Sequence, residues 1–232
     1  VAAGRVLLLT GGMRMRPVAC LALGTAAALL YSNFLIDWVL RGFTGMDIVV
    51  SYLETPGEPF STLLRVTSVL CGVLVLLLLP AVRRAFPPGR PNQVLVVSCA
   101  VFAAGAALAA AIPMPCGLGE GCLTDLDRLE ADLHDAASTL SETALFIGVA
   151  AVWWQTRTTG PAWLARVAWW LFWIAGVLAT AVFGYFGLLT DEQALTAYVQ
   201  RVHILGVSIW LVTLGVVAAR SAASIGRGPG DE

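Results

Sequence analysis

Lysine is missing from this 232-residue chain, and all fourteen basic residues are arginine. Charge of either sign is scarce: 12% of the residues are Asp, Glu or Arg, against 58% hydrophobic. A soluble domain carries about a quarter charged residues, so this chain cannot clothe a water-facing surface and has no room for a separate soluble domain. Histidine occurs twice, at His134 and His203. No Walker sequence, HExxH or GxSxG is present, which removes the phosphate-cradling loop, the helical zinc-protease pair and the nucleophile elbow. No basic run interleaved with aromatics points to nucleic acid. An arginine ladder of the voltage-sensing kind is absent, as are the paired Gly/Pro interruptions of broken-helix transporters.

What the chain does have is six long apolar runs, near Val18–Leu40, Leu63–Val82, Val94–Ile112, Ala136–Trp154, Trp163–Leu189 and Val202–Ala219. A helix needs roughly 20 such residues to cross the hydrocarbon. The fold class is therefore all-α: a polytopic, six-transmembrane-helix up-down bundle, because the second and fourth connections are short and turn-like. Residues 1–15 read as a disordered leader, 16–220 as the membrane domain and 221–232 as a cytoplasmic tail. Arg14 and Arg16 ahead of the first run resemble the start of a signal peptide, but the run extends beyond twenty residues through Tyr31, Phe34 and Trp38. A signal h-region is shorter, so the first helix is expected to be retained, with Val1–Gly12 as leader ahead of Met13 or Met15.

The arginines sort by connection. Arg5, Arg14, Arg16, Arg83, Arg84, Arg90, Arg157, Arg166, Arg220 and Arg227 fall in the N-terminus, the second and fourth connections and the C-terminus. The first, third and fifth connections, with the helix ends beside them, collect Asp37, Asp47, Glu54, Glu58, Glu120, Asp125, Asp127, Glu130, Asp132, Asp135, Asp191 and Glu192, and of the arginines only Arg41, Arg65, Arg128 and Arg201. Positive loops stay cytoplasmic, so both termini are expected inside an inner (cell) membrane and the acidic loops outside. Trp153, Trp154 and Trp163 form an interfacial belt at the fourth connection, and Trp38 marks the other interface. Cys20, Cys71 and Cys99 fall inside spans and read as packing residues. Cys116 and Cys122, spaced C-x5-C on the exported side, are expected to form a disulfide.

Two exported loops have internal pattern. Asp47–Phe60 has an apolar middle too short to span, which either lies along the interface or folds back over the bundle. Thr124–Asp135 carries Leu126, Leu129 and Leu133 at helical spacing and predicts an amphipathic helix leading into the fourth span. Ala103, Ala107 and Ala111 on the third span, and Gly176, Gly184 and Gly187 on the fifth, read as close-packing positions within the bundle, or as a face for a partner membrane protein or homodimer.

Ionisable groups in or beside a span are costly and so mark candidate sites. They gather at the acidic end: Asp37, Arg65, His134, Asp135, Ser138, Glu142, Arg201 and His203. His134, Ser138 and Glu142, four apart, share one helical face, with Glu142 about 12 Å deeper than His134. Three readings compete. In the first, Asp37–Arg65 and Glu142–Arg201 are ion pairs in a purely structural or accessory subunit. In the second, Asp37, Arg65, Arg201 and His203 bind a membrane lipid or isoprenoid-like amphiphile, the arginines meeting an anionic head, while His134, Ser138 and Glu142 line the pocket as catalytic candidates. In the third, His134, His203 and Asp37 or Glu142 hold zinc in a membrane hydrolase acting on a lipid. Haem ligation by the histidines is disfavoured because both lie near one interface. Lipid handling in an outward-facing polar pocket is the leading expectation, with zinc chemistry as the alternative.

From Arg16 to Ala219 the chain resembles the bacterial membrane family catalogued as domain of unknown function 998. The likeness rests on Tyr31-Ser32-Asn33-Phe34 with Asp37, Val50–Phe60 leading to Arg65, Ile112-Pro113-Met114-Pro115-Cys116, Leu133–Ser138, and Gln200-Arg201. It implies a six-helix integral membrane fold and brings no established activity. A weaker likeness, to membrane hydrolases of the alkaline ceramidase type, would assign Ser138, His134, His203 and Asp37 to a zinc centre, although Val207 stands where a further histidine belongs.

Overall fold

In a membrane the backbone must satisfy its own hydrogen bonds, which leaves helices as the means for separate apolar runs to cross. Accordingly the chain, in a computed structural model that describes residues 15–116, 124–190 and 192–226, is all helix and connection with no strand among those residues. The expected leader Val1–Gly12, Cys122 of the expected disulfide and the last residues of the tail lie outside them. Helices α1 (Pro17–Tyr31) and α2 (Phe34–Leu40) make up the first apolar run, α3 (Val50–Leu53) is a single turn in the first connection, and α4 (Ser61–Ala85) and α5 (Arg90–Ala111) follow. The fourth run is α6 (Asp125–Thr156). The fifth comprises α7 (Ala162–Trp170), a π-helical stretch Leu171–Leu178, α8 (Ala179–Tyr185) and a second π-helical stretch Phe186–Thr190; α9 (Gln193–Gly226) is the sixth.

Among the described residues, five helices are long and apolar enough to cross a membrane, and the count is six when the bent pair α1–α2 is taken as one span. A bend of 56° divides the single helix expected over Val18–Leu40. By contrast, the amphipathic segment expected before the fourth span is continuous with it. Thr124 caps this 32-residue helix, accepting from the Asp127 N–H while the Asp127 carboxylate accepts from the Thr124 N–H. That reciprocal pair satisfies two orphan donors, and Leu126, Leu129 and Leu133 on its first turns stay exposed.

Sequential spans pack side by side, and α1 closes the ring against α9, which also touches α4. The result is that α9 is the most enclosed span, 61% of its apolar window being buried, whereas the fifth span is only 17% buried and is the loosest wall. Small residues set the closest approaches. A Cβ at Gly24 would sit 2.8 Å from the Gly215 Cα, and one at Gly72 would sit 2.7 Å from the Ala103 carbonyl oxygen. Ala103 is buried as its spacing suggested, but Ala111 is exposed and Gly184 faces open space. The aromatic belt at the fourth connection is stacked with arginine: the Arg157 guanidinium lies 3.6 Å from the Trp154 ring centroid, and that of Arg220 lies 4.8 Å from the Trp163 centroid.

Candidate functional site

Ser32 and Asn33 are polar residues inside an apolar run, and side chains of this kind compete with the helical ladder. Here they break it. The Ser32 hydroxyl lies 2.7 Å from that of Ser208, which donates to the Ala28 carbonyl at 3.1 Å. Asn33 Nδ2 reaches the Leu64 carbonyl at 3.0 Å and the hydroxyls of Thr67 and Ser68 at 3.1 and 3.2 Å. The break leaves Tyr31 at the end of α1 with its ring edge-on to Phe102 and its hydroxyl donating to Glu142 at 3.2 Å.

The first connection folds back over the bundle. Val50 and Leu53 are buried, and the Val50 N–H donates to Gln200 Oε1 at 2.6 Å. Glu54, at the end of α3, is thereby carried inward until it is only 8% exposed. Its carboxylate accepts from Ser68 Oγ at 3.2 Å and from Asn33 Nδ2 at 3.5 Å. Burial raises the Glu54 carboxyl above the usual carboxylate range, while nearby His134, the two hydrogen bonds and Arg65 pull the other way.

These groups enclose a chamber of about 90 Å³ lined by Tyr31, Asn33, Glu54, His134, Ser138 and Glu142, among others. The volume is enough for about three waters or a small polar head. A second chamber of about 120 Å³ lies against the fifth span, with Phe146, Thr180, Phe183 and His203 in its walls, and Glu142 and Gln200 line both.

Both histidines are oriented through Nδ1. That of His134 lies 3.0 and 2.9 Å from the carbonyl oxygens of Ala109 and Ile112, and that of His203 lies 2.9 Å from the Ala175 carbonyl. Carbonyls only accept, so Nδ1 carries the proton in each ring and Nε2 is left for another partner. His203 Nε2 is 3.1 Å from Glu142 Oε2, at ion-pair distance although not aligned as a hydrogen bond. The boundary between the chambers is thus the His203–Glu142 pair.

The face expected from four-residue spacing on the fourth span is real: His134, Ser138 and Glu142 line one chamber. His203 approaches Glu142 from the other side. Asp37, Arg65 and Arg201 line neither chamber. The expected Asp37–Arg65 and Glu142–Arg201 pairs do not form, because nearer partners take each group. Asp37 lies 2.9 Å from Arg41 Nε, and Arg41 also reaches Glu58 at 3.1 Å. Arg65 donates to the carbonyls of Ala110 at 2.7 Å and Ala111 at 3.4 Å, capping the C-terminus of α5. Arg201 donates to the Ala197 and Gly45 carbonyls at 3.0 and 3.1 Å, with its guanidinium 5.4 Å from the Phe34 ring centroid.

The zinc donor set expected by the weaker resemblance is dispersed in the same way. Among the described residues, no group of three or more His, Cys, Asp or Glu is placed to hold a metal ion. His134 and His203 serve different chambers, and Asp37 is engaged by Arg41. The likeness to ceramidase-type hydrolases is not borne out.

Tyr31, Asn33, Glu54 and Gln200 are the site residues that functional reasoning from sequence passed over. Their signal was present as two polar residues interrupting an apolar run, and as a glutamate closing an apolar segment too short to span. A family model described as a protein of unknown function, DUF998, matches residues 24–217. No curated protein and no solved structure matches the chain. With six apolar runs arranged as this bundle and that family's model covering most of its length, the chain is a member of the DUF998 family of proteins.

Proposed function

We propose that this membrane protein binds an amphiphile, seating its polar head among Glu54, His134, Ser138 and Glu142. The apolar end leaves past Phe146 and Phe183 beside the loosely packed fifth span. One observation carries the reading: a polar chamber and an aromatic-walled chamber share Glu142 and Gln200 as wall residues. Sites for small amphiphiles combine an apolar enclosure with a few convergent polar groups. Two carboxylates line the polar chamber, while Arg65 and Arg201 are spent on backbone carbonyls. The head is therefore a hydroxyl or an amine, in place of the anion that the arginines alone suggest. In this reading the arginine-rich connections lie in the cytoplasm, the polar chamber opens outward from an inner membrane, and Cys116 and Cys122 are joined as a disulfide on that side.

The test is mass spectrometry of lipid extracted from protein purified in mild detergent. Protein of native sequence is expected to carry a hydroxyl- or amine-headed amphiphile at near-stoichiometric level. Ser138→Phe, which fills the chamber, and Glu142→Gln, which removes a charge from it, are each expected to reduce that lipid to about a tenth or less, as for loss of a buried charged contact. An unchanged lipid profile in correctly folded variants overturns the reading.

A further inference from the structure

At the end of the bundle opposite the polar chamber, residues of α4, α5 and the turn between them line a groove of about 830 Å³. Its lower walls are apolar, with Leu76 and Val97 exposed, and its upper rim carries Arg83, Arg84 and Gln93. The hairpin from Ser61 to Ala111 contains Arg65, Arg83, Arg84 and Arg90 and no acidic residue. Neither Arg83 nor Arg84 has a side-chain partner among the described residues, in contrast to Arg65, whose guanidinium is held by carbonyls.

The rim is built, not merely charged. Asn92, 6% exposed, braces the turn through Nδ2, which lies 2.9, 3.1 and 3.3 Å from the carbonyl oxygens of Arg83, Phe86 and Pro87. This fixes the end of α4 against the start of α5. Asn92 lines the groove, and its Oδ1 is buried with no hydrogen-bond partner. An orphaned buried acceptor is costly and calls for a donor. Helix α5 has 22 residues, starts beside the groove at Gly89, and has no side-chain cap and no acidic residue in its first turn. Pro91 has no N–H and that of Gln93 donates to the Gly89 carbonyl, so the N–H groups of Arg90 and Asn92 are the ones that favour an anion there.

We propose that this groove is a binding site for an anionic glycerophospholipid. The phosphodiester sits between Arg83, Arg84 and the α5 N-terminus, a head-group hydroxyl donates to Asn92 Oδ1, and the acyl chains follow Leu76, Val96 and Val97. Apolar walls continuous with the lipid-facing surface of both helices select a lipid over free phosphate. The hydroxyl donor selects a glycerol head over choline. This site is independent of the amphiphile chamber and shares no residue with it.

Native mass spectrometry of the full chain in detergent, titrated with phosphatidylglycerol, phosphatidylcholine or inorganic phosphate, tests the proposal. Phosphatidylglycerol is expected to bind about tenfold more tightly than phosphatidylcholine, and Arg83→Gln/Arg84→Gln is expected to abolish that preference. Arg157→Gln, at the same end but stacked on Trp154, is expected to leave the preference intact. Val97→Trp, which keeps both arginines and obstructs the acyl path at an exposed position, is expected to weaken phosphatidylglycerol binding several-fold. Equal binding of the two lipids overturns the proposal. So does an equal loss in the Arg157 variant, or full displacement of the lipid by millimolar phosphate.

Discussion

Glu54 reaches the interior without an arginine or lysine within ion-pair distance among the described residues; Asn33 and Ser68 are its hydrogen-bond donors. Its carboxyl is raised by burial, so the folded protein holds a proton that the unfolded chain releases. Between the ordinary carboxylate range and the raised folded value, the native state binds more protons. Stability contributed by this group is therefore present at low pH and is lost as pH rises through that window. Glu54→Gln is expected to match the parent in thermal melting near pH 4 and to exceed it once the pH has risen through that window, as the sign of this linkage requires. Parallel melting curves for the two proteins across that range contradict the assignment. Asn33 is the complementary case: Asn33→Leu removes the two N–H donors that Nδ2 shares among Glu54, Leu64, Thr67 and Ser68. It is expected to cost about 1–2 kcal/mol, visible as a lowered melting temperature, which is modest because unfolded states within the membrane also find polar partners. At this scale the sequence is legible only locally. His134, Ser138 and Glu142 are recognisable because helical spacing places them on one face. Glu54 and Gln200 are not, because the hydrogen bond that carries α3 inward joins residues 150 apart, Val50 and Gln200.

Among the helices, length and apolarity were readable because lipid permits few other conformations, whereas bends and contacts depend on neighbours. The first span breaks with neither glycine nor proline at the break, through Ser32 and Asn33 finding partners on α4 and α9. Small-residue spacing was equally ambiguous: Ala103 and Ala111 belong to the same four-residue series, yet only Ala103 is buried. The decisive close approach is one that periodicity did not reveal, Gly24 on α1 against Gly215 on α9. Adding a methyl group at Gly24 places it 2.8 Å from both the Gly215 Cα and the Leu211 carbonyl oxygen. Backbone cannot yield as a side-chain end can. Gly24→Ala is therefore expected to destabilise the bundle by about 1–3 kcal/mol, as overpacking does. Gly184→Ala, where nothing lies within 4 Å, is expected to change stability by less than about 0.5 kcal/mol. Thermal melts of the two variants in the same detergent provide the comparison; equal losses would mean that helical glycine itself, and not the α1–α9 approach, governs the result.

For the molecule as a whole, the bend in the first run decides how the ends are disposed. If α1 and α2 together make one crossing, the crossings number six and residues 15 and 226 face the same side; if they do not, the five remaining spans put those ends on opposite sides. Charge argues for six. Arg16, Arg83, Arg84, Arg90, Arg157, Arg166 and Arg220 gather at one set of connections, while Glu54, Glu58, Asp125 and Asp127 gather at the other. The bias of arginine toward cytoplasmic loops acts on short connections of this kind, and an odd number of crossings would export Arg14 and Arg16 or strand Arg220 outside. Green fluorescent protein fused ahead of Met15 or after Gly226 is therefore expected to fluoresce in both cases, and alkaline phosphatase fused in the Thr124–Asp132 segment is expected to be active. A dark N-terminal fusion beside a bright C-terminal one would make α1–α2 a re-entrant element. In that case Asn33 and Glu54 would belong to a loop dipping into the membrane from the acidic side, and the polar chamber would lie between that loop and the remaining spans.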